Sequence, residues 1–230
     1  MSMTPRVVTD PLAIADVHGA LLTPSFPPNE LVAVHSLVEG VAGGAVEVAV
    51  IDDQGEPVAV AVGEVEGPVA LLAYLAVDGA ARGRGNGSAL LEWAVARWMT
   101  RSRGIRLLLA EVEDPQRHAP HASYGDPVRR AQFYAAQGAT RLAVPYFQPR
   151  LDPQSDRVRG MMLVVLAAAP GVIVGGVLRE PRLVTTWLED YFADTEGNPR
   201  PADAEAQALF EAFEGGEPVT AGPLMSPTGS

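Results

Sequence analysis

The residues best suited to chemistry lie in a glycine-rich turn. Arg82, Gly85 and Gly87 occur in the run ARGRGNGS, between an apolar stretch at 71–77 and a segment from Ser88 whose apolar residues recur at helical spacing. A strand, a glycine turn and a helix in that order direct the first backbone N–H groups of the helix at one point, with the positive end of the helix dipole behind them. Such a point binds phosphate groups.

The spacing of the glycines distinguishes between the kinds of phosphate-binding turn that this sequence could form. A P-loop needs a lysine directly after its last glycine, and no lysine lies near these glycines. A dinucleotide-binding turn needs Gly-x-Gly-x-x-Gly, which the sequence meets only after a shift of register. The pattern Arg-x-x-Gly-x-Gly fits Arg82, Gly85 and Gly87 without adjustment. A surface turn that binds nothing is the remaining alternative.

A tyrosine marks the second segment that could do chemistry. The run AQFYAAQGA at 131–139 places Tyr134 in a predicted helix over 128–137, which ends at Gly138. The hydroxyl of Tyr134 could act as a proton donor. The alternative interpretation is a core aromatic residue with a hydrogen-bonded hydroxyl.

Together, Arg82-x-x-Gly85-x-Gly87 and Ala131-x-x-Tyr134-x-x-x-Gly138 resemble the acetyl-CoA loop and the tyrosine helix of the GNAT family of N-acetyltransferases. The resemblance implies acetyl-CoA as cosubstrate, Tyr134 as proton donor to the departing CoA thiolate, and an oxyanion donor on a bulged strand near 75–77. The ordinary pKa of tyrosine, about 10, lies close to that of a thiol, about 8.5, so this transfer is feasible. Ala139 departs from the aromatic residue usual in the family. The implied acetyl-CoA contacts are Val77, Arg82, Gly83, Arg84, Gly85, Asn86, Gly87 and Ser88.

Acetyl transfer to an amine also needs a general base, and acidic residues end a predicted strand over 105–112. Glu111 and Glu113 point the same way, because side chains on a strand alternate with period two. In GNAT-like folds this strand end opens toward the acceptor, so the resemblance favours Glu111 first and Glu113 second as the base. They could instead form the solvated mouth of the cleft or bind a cationic acceptor without moving protons. Glu30 could also face the acceptor.

The elements that must position these residues follow a recognisable order. Strands at 46–51, 57–65 and 69–77, joined by tight turns, predict an antiparallel meander. The strand–helix–strand order that follows favours parallel pairing of 69–77 with 105–112. Two N-terminal helices are expected, with Asp10 and Asn29 as caps. After the helix over 128–137, strands are predicted at 141–147 and 161–168.

This order is similar to the GNAT fold, an α/β class with a mixed α+β sheet, and the resemblance covers roughly residues 5 to 168. The expected organisation is therefore a GNAT-like domain over 1–168 and a C-terminal extension over 169–214, packed on the same domain. The extension contains predicted helices at 182–192 and 202–213. The Gly/Pro/Ser/Thr-rich tail over 215–230 is expected to be disordered.

The amino-acid composition limits the kinds of partner and the cellular location that we expect. A net charge of −11 disfavours nucleic acid and anionic membrane surfaces as partners and suits cationic small molecules. Without cysteine there is no disulfide, thiol nucleophile or thiolate metal site. His118 and His121 are interpreted as loop histidines, so no metal is expected. The chain begins without the apolar core of a signal peptide, which favours a cytoplasmic location.

One uncharged segment, Met161 to Leu178, approaches the length of a membrane span. Pro170-Gly171 and Gly175-Gly176 interrupt it, so two short buried strands with a turn between them are predicted instead.

These observations predict an acetyl-CoA-dependent N-acetyltransferase that acts on a primary amine of a small molecule or peptide, by direct attack in a ternary complex. The alternative is a non-catalytic acyl-CoA-binding sensor or scaffold of the same fold. A homodimer is compatible with the resemblance.

Overall fold

The computed structural model describes residues 4–100, 104–151 and 154–225. The chain divides into two compact units, Met1–Leu108 and Leu109–Ser230, called here the N-terminal and the C-terminal unit. The division falls within a strand at 107–113. The domain over 1–168 with an extension over 169–214 stays a prediction. Strand pairing is mostly antiparallel with one parallel pair, which confirms the mixed α/β class.

The N-terminal unit is built on an antiparallel meander. Its strands follow the order β1-β2-β3-β4, and consecutive strands pair antiparallel. The Pro68 carbonyl, just before β4, accepts hydrogen bonds from the backbone N–H groups of Arg106 (2.7 Å) and Leu107 (3.2 Å). The elements are β1 (Arg6–Val8), α1 (Pro11–Val17), α2 (Val34–Gly43), β2 (Val46–Asp53), β3 (Glu56–Glu64), β4 (Val69–Val77) and α3 (Asn86–Thr100).

A core of branched aliphatic residues holds this unit together. Val48, Val50, Val60 and Val62 alternate along β2 and β3 and are buried in one cluster, with residues of α1 and α2. Helix α3 is fixed by Trp98, which has no exposed surface and whose indole N–H donates to Glu47 at 2.8 Å. The C-terminal part of α3 is thereby attached to β2, and the glycine turn lies at the opposite end of the same helix.

The C-terminal unit contains the rest of the strands and three helices. Strand β6 pairs antiparallel with β7 on one side and β10 on the other, and β8 and β9 form a separate hairpin. The elements are β5 (Leu107–Glu113), which begins in the N-terminal unit, α4 (Pro127–Ala136), β6 (Thr140–Leu142), β7 (Met161–Ala168), β8 (Ile173–Val174), β9 (Val177–Leu178), α5 (Pro181–Glu196), α6 (Ala204–Glu214) and β10 (Ala221–Pro223).

An arginine connects the loop after β6 to the C-terminal helices. Arg157 donates to Glu196 of α5 at 2.7 Å and to Asp203, the N-cap of α6, at 2.8 Å. Its guanidinium also lies over the rings of Phe147, 4.7 Å from the centroid, and Phe192, 5.6 Å away. The extension and the segment at 154–160 are therefore held together by charge and stacking.

The structure confirms the predicted meander and the Asp10 cap, which accepts from Leu12 and Ala13 at 3.1 and 2.9 Å. The Asn29 cap is wrong, because α2 begins after Ala33 without a side-chain cap. The predicted strand over 141–147 is reduced to the three residues of β6, since the chain turns at 143–144.

Two expectations about the C-terminal half also change. The segment Met161–Leu178 forms one eight-residue strand and a short hairpin, and none of the described helices is long and apolar enough to cross a membrane. The tail expected to be disordered is structured up to residue 225: β10 pairs with β6, and Val219 and Leu224 are buried. The remaining tail, residues 226–230, lies outside the described residues.

Candidate active site

The glycine turn of the N-terminal unit has the geometry of an anion cradle. Gly83 and Gly85 adopt φ angles of 74° and 84°, a left-handed conformation that glycine tolerates without steric cost. A Cβ added at either position would meet no atom within 4 Å, so the space above the backbone is open to a ligand. The Gly85 carbonyl accepts from the Ala89 N–H at 2.9 Å, which makes Gly85 the residue that precedes the first turn of α3. The backbone N–H groups of that turn point out of the helix end.

Side chains predicted to contact the cosubstrate hold the turn in shape. Arg82 donates through Nε to the Val77 carbonyl at the end of β4, at 3.1 Å. Asn86 is 6% exposed and donates to the Ala81 carbonyl at 3.2 Å. Arg84 reaches Asp53 of the β2–β3 hairpin at 3.8 Å, with both side chains well exposed. Helix α3 begins at Asn86, two residues before Ser88, so Gly87 and Ser88 lie in its first turn.

The predicted bulge exists on β4 but at a different position. Tyr74 pairs with Val62 and Leu72 pairs with Gly63, which leaves Ala73 as the extra residue. The segment at 75–77, where the bulge was expected, pairs regularly with β3.

Tyr134 lies on α4 of the C-terminal unit. The helix begins with Asp126 as its cap and Pro127 in its first turn, and Gly138 follows its end with a φ of 79°. Tyr134 is 7% exposed, and this burial raises the pKa of its hydroxyl to about 12 although the positive charge of Arg130 acts to lower it. The hydroxyl is therefore fully protonated at neutral pH.

Glu111, on β5, receives hydrogen bonds from three side chains of the C-terminal unit. Tyr146 donates at 2.6 Å, the Gln148 amide at 3.0 Å and Tyr191 of α5 at 3.3 Å. Two tyrosine hydroxyls and one amide therefore meet at a single carboxylate.

Glu113, two residues further along β5, has a separate set of partners. Arg130 of α4 donates to its carboxylate, and the His118 ring lies 3.5 Å from it. His118 in turn contacts the Arg159 carbonyl at 2.8 Å, whereas His121 accepts backbone N–H groups of its own loop and stacks on Tyr124. Within the described residues, no group of three or more His, Cys, Asp or Glu side chains could hold a metal ion.

Comparison with known proteins relates the site described above to a protein family. Residues 44–138 match the model of the family described as the acetyltransferase (GNAT) domain. The chain carries a GNAT acetyltransferase domain. The match supports a GNAT-type acyltransferase, and the matched residues include the glycine turn, both glutamates and Tyr134. No curated protein matches the sequence.

Solved structures share the GNAT fold. A protein assigned to the GNAT acetyltransferases from Bacteroides thetaiotaomicron superposes with a TM-score of 0.63 at 21% identity, over 84% of this chain and 99% of its own. A ribosomal-protein-alanine N-acetyltransferase from Escherichia coli gives a TM-score of 0.50 at 20% identity, over 72% of this chain and 94% of its own. A protein assigned to the same family from Desulfovibrio desulfuricans gives 0.50 at 20% identity, over 72% of this chain and 100% of its own.

Sequence reasoning missed the partners of Glu111. Tyr146, Gln148 and Tyr191 lie beyond residue 138, where the match to the GNAT domain ends. Tyr146 lies within the predicted strand over 141–147 and Tyr191 within the predicted helix over 182–192. The one available signal was a pair of polar and aromatic residues, Tyr146 and Gln148, close to the start of a polar loop.

Proposed function

We propose that the protein transfers an acetyl group from acetyl-CoA to a primary amine of a small molecule or peptide, by direct attack in a ternary complex. The observation that carries the proposal is the turn at 83–87, where two left-handed glycines open a helix N-terminus to an anionic group. The GNAT family uses acetyl-CoA, whose pyrophosphate has the charge that such a turn binds.

In the proposed reaction, the amine nitrogen attacks the thioester carbonyl carbon, the carbon–sulfur bond breaks and the thiolate takes up a proton. Tyr134 is the proposed source of that proton, since burial keeps its hydroxyl protonated at neutral pH. The positive charge of Arg130 acts to lower the pKa of Tyr134, against the effect of burial. It therefore favours the phenolate that proton donation would leave. The backbone N–H groups at 84–88 and the end of β4 at Val77 are the proposed contacts to acetyl-CoA.

The acceptor side is assigned to the glutamates of β5. Glu111 is the first candidate to take the proton of the amine and Glu113 the second, as the resemblance implies. Glu113 is the weaker candidate to receive a cationic amine, because its carboxylate is already paired with the Arg130 guanidinium. The three donors on Glu111 also suit a second role, that of holding a cationic acceptor by its charge.

The test compares two glycines that share a backbone conformation. Gly85→Ala and Gly67→Ala, with φ angles of 84° and 80° and no atom within 4 Å of the new Cβ, should lose about the same stability, roughly 1–2 kcal/mol. In wild type and Gly67→Ala, acetyl-CoA at about 100 times its Kd should stabilise the fold by about 2.7 kcal/mol. Gly85→Ala should lose this shift because its methyl group projects into the cradle.

Two results would overturn the proposal in different ways. A normal acetyl-CoA shift in Gly85→Ala would mean that the cosubstrate binds elsewhere. A normal shift in wild type without thiol release from any amine in a panel of small-molecule and peptide amines would support the sensor or scaffold alternative.

A further inference from the structure

The amide of Gln148 contains a buried oxygen atom that lacks a donor. Gln148 is 8% exposed, and its Nε2 donates to the Glu111 carboxylate at 3.0 Å. Within the part of the chain that the structure describes, its Oε1 atom has no hydrogen-bond partner. Turning the amide over would not help, because it would place the amide oxygen against a carboxylate oxygen at the same distance. A buried acceptor without a donor is unfavourable unless another molecule supplies one.

The groups around this oxygen select the charge of such a molecule. Glu111 contributes a carboxylate that is held in place by three hydrogen-bond donors. A carboxylate and an amide oxygen together repel anions and attract a cationic group that carries N–H donors. A neutral apolar ligand would leave the Gln148 oxygen unsatisfied.

Aromatic rings complete the description of the ligand. Tyr191 contacts Glu111 through its hydroxyl, and the half-buried Trp187 lies one helical turn away on α5, with its ring centroid 5.3 Å from that of Tyr191. Tyr146, which is 5% exposed, contributes a third ring and donates to Glu111 through its hydroxyl. Aromatic faces next to a carboxylate are a favourable environment for organic ammonium ions.

We infer that Glu111, Tyr146, Gln148 and Tyr191 form a binding site for the ammonium group of an alkylamine. The inference rests on the proposed function in that it identifies the acceptor as an aliphatic amine that binds as a cation. Three of the four residues come from outside the matched domain, so recognition of the acceptor is a property of Tyr146, Gln148 and α5. Gln148 and Tyr191 act here as specificity-determining residues.

Binding can be measured without acetyl-CoA, by saturation-transfer NMR with three probes: n-butylammonium, tetramethylammonium and n-butanol. Wild-type protein should bind n-butylammonium best, because only this probe combines a positive charge with N–H donors for Gln148. Tetramethylammonium retains the charge but cannot donate, and n-butanol can donate but is neutral.

Two variants assign the binding to the cluster. Gln148→Met should weaken n-butylammonium binding by about tenfold or more, the affinity equivalent of one hydrogen bond to a charged group, and leave tetramethylammonium binding unchanged. Glu111→Gln should weaken both cations. Gln207→Met makes the same chemical change at an exposed position of α6 and should match wild type.

The outcomes separate this inference from the proposed function. Equal loss of both cations in Gln148→Met, or wild-type binding of n-butanol as tight as that of n-butylammonium, would overturn the ammonium site. Cation binding as described, together with no thiol release from acetyl-CoA and n-butylamine or any other amine, would leave the site in place and overturn the acetyltransferase reaction. Thiol release with a KM for n-butylamine that is unchanged in Gln148→Met and Glu111→Gln would overturn the ammonium site and leave the acetyltransferase reaction in place.

Discussion

Replacement of Tyr134 by phenylalanine should change how the stability of the protein depends on pH. Burial raises the pKa of Tyr134 from 10.0 to about 12. Because the folded-state pKa lies above the unfolded value, the protonated hydroxyl contributes stability that is fully present below about pH 10 and is lost as the pH rises through about 12. The complete loss is two pKa units, or about 2.7 kcal/mol, and about half of it, roughly 1.4 kcal/mol, is reached at about pH 11.

Urea unfolding of wild type and Tyr134→Phe measures this loss directly. Between about pH 8 and about pH 11, wild type should lose about 1.4 kcal/mol more than the variant, since all other titrating groups are common to both. Phenolate absorbance gives an independent check: at about pH 11, Tyr134 should be roughly one-tenth ionised in the folded protein, against nine-tenths for a solvated tyrosine. Equal losses in the two proteins would refute the argument that burial controls this hydroxyl.

The same variant tests catalysis. Tyr134→Phe should bind acetyl-CoA normally and lose about 10²–10⁴ in turnover, the usual contribution of a general acid. Wild-type turnover should show no fall from ionisation of Tyr134 below about pH 11. A fall near pH 10 that is absent from the variant would contradict the raised pKa.

Two further predictions concern the elements that position the site. Gly63→Ala should lower the free energy of unfolding by about 1–3 kcal/mol, since its Cβ would lie 2.5 Å from the fully buried Trp98 ring; an unchanged urea midpoint would contradict this packing. Arg157→Met should cost about 3–5 kcal/mol at neutral pH, because Glu196, with a side chain 3% exposed, loses its main partner. Arg157 lowers the pKa of Asp203 to about 2, so the cost should shrink as the pH falls from about 4 to about 2, and a cost independent of pH in urea unfolding would speak against these ion pairs.

The parts of the molecule that could be predicted are those determined by neighbouring residues. The meander of β2, β3 and β4 follows from alternating apolar residues and tight turns, and the end of α4 follows from a single glycine, Gly138. The glycine turn is predictable for the same reason, since its spacing and the helix after it are contained in one short run.

Other features depend on contacts that a local pattern does not record. The donors to Glu111 lie 35, 37 and 80 positions away along the chain, so no spacing rule relates them to it. The bulge at Ala73 depends on the register between two strands, and each strand alone reads as regular. Strand β10 has a composition typical of a loose tail, and it is ordered because β6 offers an edge for pairing.

The ion pairs of Arg157 have a consequence for acceptor recognition. Gln148 and Val158 exchange backbone hydrogen bonds of 2.9 and 3.0 Å, so the residue next to Arg157 determines where the Gln148 backbone lies. Arg157 is itself bound to Glu196, five residues after Tyr191 on α5. The two specificity-determining side chains of the proposed ammonium site, Gln148 and Tyr191, therefore lie on segments that the Arg157 guanidinium holds together. Because a buried ion pair fixes geometry more reliably than it adds stability, the principal effect of Arg157 on the proposed function should be on the KM of the amine and not on the binding of acetyl-CoA.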